Sequence, residues 1–559
     1  MNEQPDTRPA SPGAAWEAVD KVAGLILLAV LTAMKAAAAS RYRFNTDETQ
    51  HLHVIWGWTR GLIEYRDLYD NHPPLFHMLM APVFGLFPER ADIVVPMRLL
   101  MIPFYLASLV AVYRIGRALY WPRVAVWAAL IAGVVPAFFF PGTEFRPDDP
   151  YTALWLWALA VAVENRFAAG RAAVMGLLLG CCVGISMKTA LLIASLSIAT
   201  GISLALRWWL GRWRPAVRGL FFNLVAIGIA AALIPLLLCV YFAAHHALPA
   251  AYACVVKNNV VPGGYRWGGS SLHYFFLPIG LPFLLGGAFW IYRRAPDGGT
   301  GARRVFIALL PAVYCLLMYG YWPEITDHDL LPAIPLVPLA VTALILSLSA
   351  NRKVQAICQL ALPAAFAVCA LMIWRTHVLQ RGSVTKYVNR IAIVLRLTKP
   401  EEYVMDLKGD AIYRPRPIFT AIESFSRIRM RMGWIKNDIV EQLIKTRTAV
   451  CFHPPYPGDE ATKFVNANYL PLTSGTMIRV LGQNLPAPAG GTIHFTVSIP
   501  AEYVFVQKQK LAGGMLDGHP CATAQALDAG DHRFAPADSA APVVLFWARA
   551  WELGYRPAD

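Results

Sequence analysis

Charged residues are few in this chain. They make up 15% of 559 residues, while 57% are hydrophobic, and a soluble protein of that composition would expose too much apolar surface to stay dispersed. Acids are scarcer still: 35 Asp and Glu stand against 50 Lys and Arg, a formal net charge of +15. In a soluble chain such an excess would raise nucleic acid as a partner. Here the basic residues cluster in short gaps between apolar runs, which ties them to membrane topology and leaves no nucleic-acid role. The opening "MNEQPDTRPASPGAAWEAVDK" lacks the layout of a cleavable signal and reads as a short polar tail. No CxxC and no Cys/His zinc spacing occurs among the nine cysteines. No glycine-rich loop runs into GK[ST], and no repeat of 20–50 residues is visible. Cys181, Cys182, Cys239, Cys315, Cys358 and Cys369 fall in apolar runs, where a thiol behaves as a small buried hydrophobe. Cys451 and Cys521 lie in the polar C-terminal part, either as a disulfide or as two free thiols.

Long apolar runs are what the chain has in quantity. A helix needs ~20 apolar residues to cross a bilayer core. Runs of that kind cover about 21–40, 93–113, 124–141, 150–164, 172–187, 189–206, 219–243, 272–292, 305–322, 330–350 and 355–374, eleven expected spans. Arg114, Arg117 and Arg123 share one gap, Arg166 and Arg171 a second, and Arg207, Arg212, Arg214 and Arg218 a third. Arg293, Arg294, Arg303 and Arg304 follow, then Arg352 with Lys353. The intervening gaps hold few cations. The positive-inside rule makes the Arg-rich set cytoplasmic, with residues 1–20 a cytoplasmic tail. An odd number of spans then sends the C-terminal part out, to the periplasmic side of an inner (plasma) membrane.

The expected fold is therefore a polytopic α-helical membrane protein, its spans in residues 21–374 with a first extracytoplasmic loop over 41–92. Beyond it, 375–485 reads as an extracytoplasmic α/β unit. Residues 486–559, from "GGTIHFTVSIPAEYVFVQ" onward, alternate apolar and polar between turn signals and read as a small β-sandwich.

Every outward gap carries a carboxylate, a histidine or a lysine close to the membrane plane. Asp47 and Glu48 open an amphipathic helix just outside the first span, where a carboxylate could act as a general base. The helix dipole alone also accounts for such a pair. His51 shares the Asp47 face, four residues on. His51 and His53 point apart on a helix, a poor metal pair, and no metal site is assigned. In "FRPDDP", Asp149 precedes a proline and is expected to be extended, with Pro150 opening the next span. Asp148 and Asp149 then sit at a helix N-terminus, which by itself accounts for the pair; the alternative is that one of them faces Asp47 across a cleft. Lys188 interrupts the apolar stretch "LLLGCCVGISMKTALLIASLSI", where an ammonium costs ~2.5–3.5 kcal/mol near the bilayer middle and so calls for a partner or a task. His72, Arg146, Lys257, Asp327 and His328 add donors and charge at the same face, beside His245, His246, Arg266 and His273.

These stretches together resemble the GT-C glycosyltransferases, and more narrowly the bacterial branch related to protein O-mannosyltransferases and the lipid A aminoarabinose transferase. "TDETQHLHVIWGWTRGLIEYRDLYDNHPPLFHMLMAP" is similar to the family's first-loop pattern and "FRPDDPYTALWL" to its second-acid motif. "SMKTALLI" is similar to its lysine-bearing span and "DHDLLPAIPLVPLA" to its late span, so the match covers about 20–350. The resemblance implies inverting transfer of one sugar from a polyprenyl-phosphate carrier to an extracytoplasmic glycolipid, polysaccharide or protein. It also implies roles: Asp47, with Glu48 beside it, as the first-loop catalytic carboxylate, and Asp148 of the Asp148–Asp149 pair as the second acid. Lys188 would be the carrier-phosphate ligand, helped by Arg146 or His328, with His51, His72, Lys257 and Asp327 as further donor-contacting groups. No cofactor is required by this chemistry, and a divalent metal stays open. The competing readings are a transporter or flippase of lipid-linked sugars and a glycan-binding sensor or scaffold.

Overall fold

Long apolar runs become long helices, even where a proline such as Pro235 lies inside one. The computed structural model describes residues 14–558 except 165–167, 212–216, 260–284, 323–324, 348–351, 376–382, 453–455, 457, 473–476, 487–490 and 539–540. In chain order its first helices are α1 (Ala14–Arg41), α2 (Thr46–Thr59), α3 (Leu75–Phe84), α4 (Val94–Leu99), α5 (Ile102–Leu119) and α6 (Pro122–Val134). They are followed by α7 (Pro136–Phe139), α8 (Asp148–Ala162), α9 (Ala169–Ile185), α10 (Thr189–Gly211) and α11 (Val217–Ala244).

Five described stretches are long and apolar enough to cross a membrane: Asp20–Arg41, Val94–Leu119, Thr189–Gly211, Arg218–Ala244 and Gly298–Tyr321. The run expected over 124–141 is not straight. It bends by 69° between α6 and the segment Pro136–Thr143, because Pro136 lacks the N–H that would continue the ladder and biases Val135 toward extended backbone. Other apolar helices, such as Ala169–Ile185 and Leu336–Leu346, are shorter. At 1.5 Å per residue they fall short of a ~30 Å core. Length and composition therefore give five crossings among the described residues, or six with the bent pair, and do not establish eleven. The first part of the 272–292 run lies outside the described residues, as do Arg166, Arg212, Arg214, Arg266, His273 and "GGYRWGG".

Within the bundle α9 packs along α11 through Gly176, Gly180 and Gly184. A Cβ at Gly180 would meet the Ala231 carbonyl oxygen at 2.6 Å, one at Gly184 would lie 3.1 Å from Ile234 Cγ2, and one at Gly176 would strike the Ile227 carbonyl. Glycine every fourth residue lets two apolar backbones approach closely, the usual source of helix adhesion where no water drives it.

The C-terminal part contains β1 (Val404–Met405), β2 (Val450–Phe452), β3 (Tyr469–Pro471), β4 (Ile478–Asn484), β5 (Ile493–Val497) and β6 (Ala501–Gln507). The remaining strands are β7 (Lys510–Leu511), β8 (Gly514–Leu516), β9 (His519–Cys521), β10 (Gln525–Leu527), β11 (Gly530–Pro536) and β12 (Val544–Trp547). One sheet runs β1-β2-β4-β12-β6-β10, with β3 also on β4 and β7 on β6; the other runs β5-β11-β8-β9. The boundary expected at 485/486 thus cuts through a continuous sheet, since β4 pairs with β2 on one side and β12 on the other. The alternation in β5, with Ile493, Phe495 and Val497 buried and His494 and Thr496 exposed, turns one face to a core shared with the larger sheet. Cys451 on β2 and Cys521 on β9 are both buried free thiols, which decides that alternative.

Candidate active site

The head of α2 is locked before any chemistry is considered. Asn45 caps the helix, its side chain accepting from the Asp47 amide at 3.1 Å, while Glu48 Oε1 accepts from the Asn45 amide at 3.2 Å. Glu48 is fully buried and also takes both arms of Arg98, at 2.6 and 2.5 Å, and the Phe145 amide at 2.8 Å. Its carboxylate therefore joins α2, α4 and the segment that leads into Arg146. Expected beside Asp47 as a catalytic carboxylate, Glu48 has no oxygen free for a substrate. It positions its neighbours.

With Glu48 turned inward, Asp47 faces the other way. One of its oxygens pairs with Arg146 and the other with Lys408. Arg146 Nε reaches Asp148 Oδ2 at 3.1 Å, and Lys188 Nζ lies 2.9 Å from Asp148 Oδ1 and 2.6 Å from Asp329 Oδ1. The result is a row of alternating sign, Lys408–Asp47–Arg146–Asp148–Lys188–Asp329, drawn from five distant parts of the chain. Beside it, His328 Nε2 stands 2.9 Å from Glu144 Oε2, which also accepts from Asn45 Nδ2 at 2.7 Å. A cavity of ≈ 130 Å³ opens onto the row, lined among others by Arg146, Lys188, Asp329, His72, Asn71 and Phe425.

Asp47, Arg146, Asp148 and Lys188 are thus brought together, with His72 on the cavity wall and His328 next to the row. Asp149 departs from expectation. It is helical, not extended, because α8 already starts at Asp148 behind Pro147. Pro150 is tolerated there since first-turn amides have no intrahelical acceptor to lose. The Asp149 carboxyl is buried against Gly142, where a Cβ would meet Oδ1 at 2.6 Å, and does not reach the row. His51 is buried too, its Nδ1 2.9 Å from His77 Nε2. His53 points elsewhere and donates to the Ile412 carbonyl. Asp327 is 73% exposed, 3.7 Å from Arg43, and Lys257 is exposed at the end of Tyr252–Lys257, so neither enters the row.

Asp329, Glu144, Lys408 and Glu423 were not anticipated. Asp329 lies in the same "DHD" as Asp327, and only the turn decides between them: Thr326 donates from its amide and hydroxyl to Asp329 Oδ2 at 2.5 and 2.9 Å. Lys408 has no sequence signal. It is presented by a turn in which Asp406 accepts from the Gly409 and Ala411 amides at 2.7 and 2.9 Å. Gly409 has φ +98 and packs where a Cβ would meet His53 Cβ at 2.5 Å, so the turn needs glycine there.

The charges set the electrostatics. Burial by itself would raise the Asp47 carboxyl, but Arg146 and then Lys408 overcome it and hold it well below the usual carboxylate range. Glu423 accepts from Asn71 Nδ2 at 2.9 Å beside Tyr69. Its burial raises it to about 7 against the pull of Lys408 and His72, with Asp47 and Asp70 adding to the rise.

The fold is similar to that of ArnT. In a crystal structure of ArnT from Cupriavidus metallidurans bound to undecaprenyl phosphate, the TM-score is 0.55 at 13% identity, covering 84% of this chain and 98% of that one. For the apo state of ArnT from Cupriavidus metallidurans the values are 0.54 and 12%, with the same coverage. Residues 71–238 match the family described as dolichyl-phosphate-mannose-protein mannosyltransferase. Residues 71–238 thus resemble the protein mannosyltransferases, and the fold as a whole is similar to that of ArnT. No curated protein matches it.

Proposed function

We propose that this chain is an inverting glycosyltransferase that moves a single sugar from a polyprenyl-phosphate carrier to an acceptor hydroxyl on the extracytoplasmic side of the plasma membrane. The acceptor is a glycolipid, a polysaccharide or a protein. The observation that supports this reading is the row Asp47–Arg146–Asp148–Lys188 beside a cavity. Its two cations suit the phosphate of the donor, a diester that departs as the carrier monophosphate, and its first acid suits an attacking hydroxyl. A relative in fold has been crystallised with undecaprenyl phosphate, which agrees with a lipid-phosphate donor.

The chemistry is a single displacement. The acceptor oxygen bonds to the anomeric carbon while the bond from that carbon to the phosphate oxygen breaks, and the carrier leaves as its monophosphate. Lys188 and Arg146 neutralise charge growing on the departing phosphate. Asp47 takes the proton of the attacking hydroxyl. Held by Arg146 and Lys408, Asp47 is a weak base at rest. A phosphate that draws Arg146 toward itself raises Asp47's basicity, so donor binding prepares the base. Asp148 keeps the two cations side by side against their mutual repulsion.

The test uses membranes supplied with radiolabelled polyprenyl-phosphate sugar. An enzyme releases free carrier phosphate, and Asp47→Asn abolishes the release at unchanged expression. Relocation of intact label without release, or full release by Asp47→Asn, overturns the reading.

A further inference from the structure

Beside the row, and separate from it, lies a fully buried group that the transfer chemistry does not use. His51 on α2, His77 on α3 and Asp70 in the loop between them are each 0% exposed. One potential ligand atom from each falls within 4.8 Å of the others. Helix spacing explains why the sequence hid this: His51 does not pair with its neighbour His53 but with a residue 26 positions away, across the helix hairpin.

The second layer is arranged as around a metal. His77 Nδ1 donates to Glu64 Oε1 at 3.0 Å, so its Nε2 lone pair faces His51. A carboxylate behind a histidine fixes tautomer and ring orientation in this way at metal sites. Glu64 is itself held by Trp58 Nε1 at 2.7 Å. Gln50 donates to Asp70 Oδ2 at 3.1 Å, and the His72 amide and ring reach Asp70 Oδ1 at 2.6 and 2.7 Å.

A further observation points to a cation. Glu64 and Asp70 are both fully buried carboxylates, and among the described residues neither has a lysine or arginine partner. Buried charge of one sign calls for a counter-charge close by.

We infer that His51, Asp70 and His77 form a binding site for a divalent transition-metal ion, Zn²⁺ by the chemistry of the donors. Two imidazoles and one carboxylate suit zinc better than calcium or magnesium, which prefer oxygen alone. The 2.9 Å between His51 Nδ1 and His77 Nε2 need open only to about 3.3 Å for tetrahedral bonds of ~2.0–2.1 Å. The ion pins α2 to α3 and the loop before it. Through Asp70 and His72 it braces one wall of the cavity. Its role is structural, and the inference does not depend on the transfer reaction.

The full-length protein, purified in detergent with a histidine-free tag, is stripped with a chelator and dialysed against Zn²⁺ or Co²⁺. About one zinc per chain by mass spectrometry, tetrahedral cobalt absorption bands and a higher Tm on metal addition are expected. His51→Gln and His77→Gln lose the zinc and the bands. Glu64→Gln keeps the bands but binds about 10–100-fold more weakly. Wild-type protein that takes up no metal, or His51→Gln and His77→Gln proteins that retain it, overturns the assignment. Should either histidine variant fail to fold, the wild-type spectrum and the Glu64→Gln affinity still decide.

Discussion

Removing the Lys188 ammonium leaves Asp148 and Asp329 facing one another with no cation between them. The lysine lies 2.9 Å from one carboxylate and 2.6 Å from the other, and those two side chains are only 5% and 3% exposed. Breaking a buried pair from one side costs roughly 3–5 kcal/mol, because the charge left behind stays desolvated. Lys188→Ala should therefore lower Tm sharply, and loss of transfer in that variant alone would not separate catalysis from folding. Lys188→Ala/Asp329→Asn separates them. It removes one cation and one anion, Arg146 continues to hold Asp148, and Tm should recover most of the loss. Transfer should not recover: withdrawing a preorganised partner of transition-state charge costs about 10²–10³-fold in kcat. Asp329→Asn alone should retain transfer, since the ammonium remains in place. Release of carrier phosphate and a thermal-shift melt, measured on one preparation, give both readings. A stable Lys188→Ala/Asp329→Asn protein working at the wild-type rate would refute a phosphate role for Lys188.

Glu48→Gln, which strips the bidentate partner from buried Arg98, should cost about 3–5 kcal/mol of stability by denaturation; a change under ~1 kcal/mol would deny that Glu48 anchors the site. Glu423, raised from 4.5 to about 7, favours its protonated form in the fold. The stability it contributes is complete below about pH 4.5 and is lost as pH rises through about 7, so the wild-type Tm should fall across that window and Glu423→Gln should flatten the fall. Gly180→Leu places a side chain against the α11 backbone, where even a Cβ meets the Ala231 carbonyl at 2.6 Å. It should lower Tm and yield in membranes, whereas Gly201→Leu, with open space around its Cβ, should change little.

Much of the site could be read before the fold. An ammonium in an apolar stretch and an acid pair at the mouth of a span are costly in hydrocarbon, and cost is visible letter by letter. That is why Asp47, Asp148 and Lys188 stood out. What could not be read is which member of each acidic pair faces the cavity. Glu48 and Asp47 are adjacent, and Asp149 and Asp148 are adjacent, so pattern ranks them alike. A capping box and an arginine 50 residues away turn Glu48 inward. The packing of α8 against Gly142 does the same for Asp149. Similarly, "DHD" offered Asp327 as readily as Asp329 until a turn of hydrogen bonds chose.

The C-terminal part shows the opposite limit. Its alternating runs announced strands, but strand neighbours depend on register between distant segments, so the division at 485/486 did not survive the pairing of β4 with β12. Lys408, 361 residues from Asp47, reaches it only because the Asp406 turn docks on α2. The sequence alone determined the membrane class, the helices and the kinds of charge available, because hydrophobic burial and desolvation act on each segment by itself. Tertiary structure decided which charges meet, since Coulomb energy and hydrogen bonding fall off within a few ångströms and only the folded chain sets those distances.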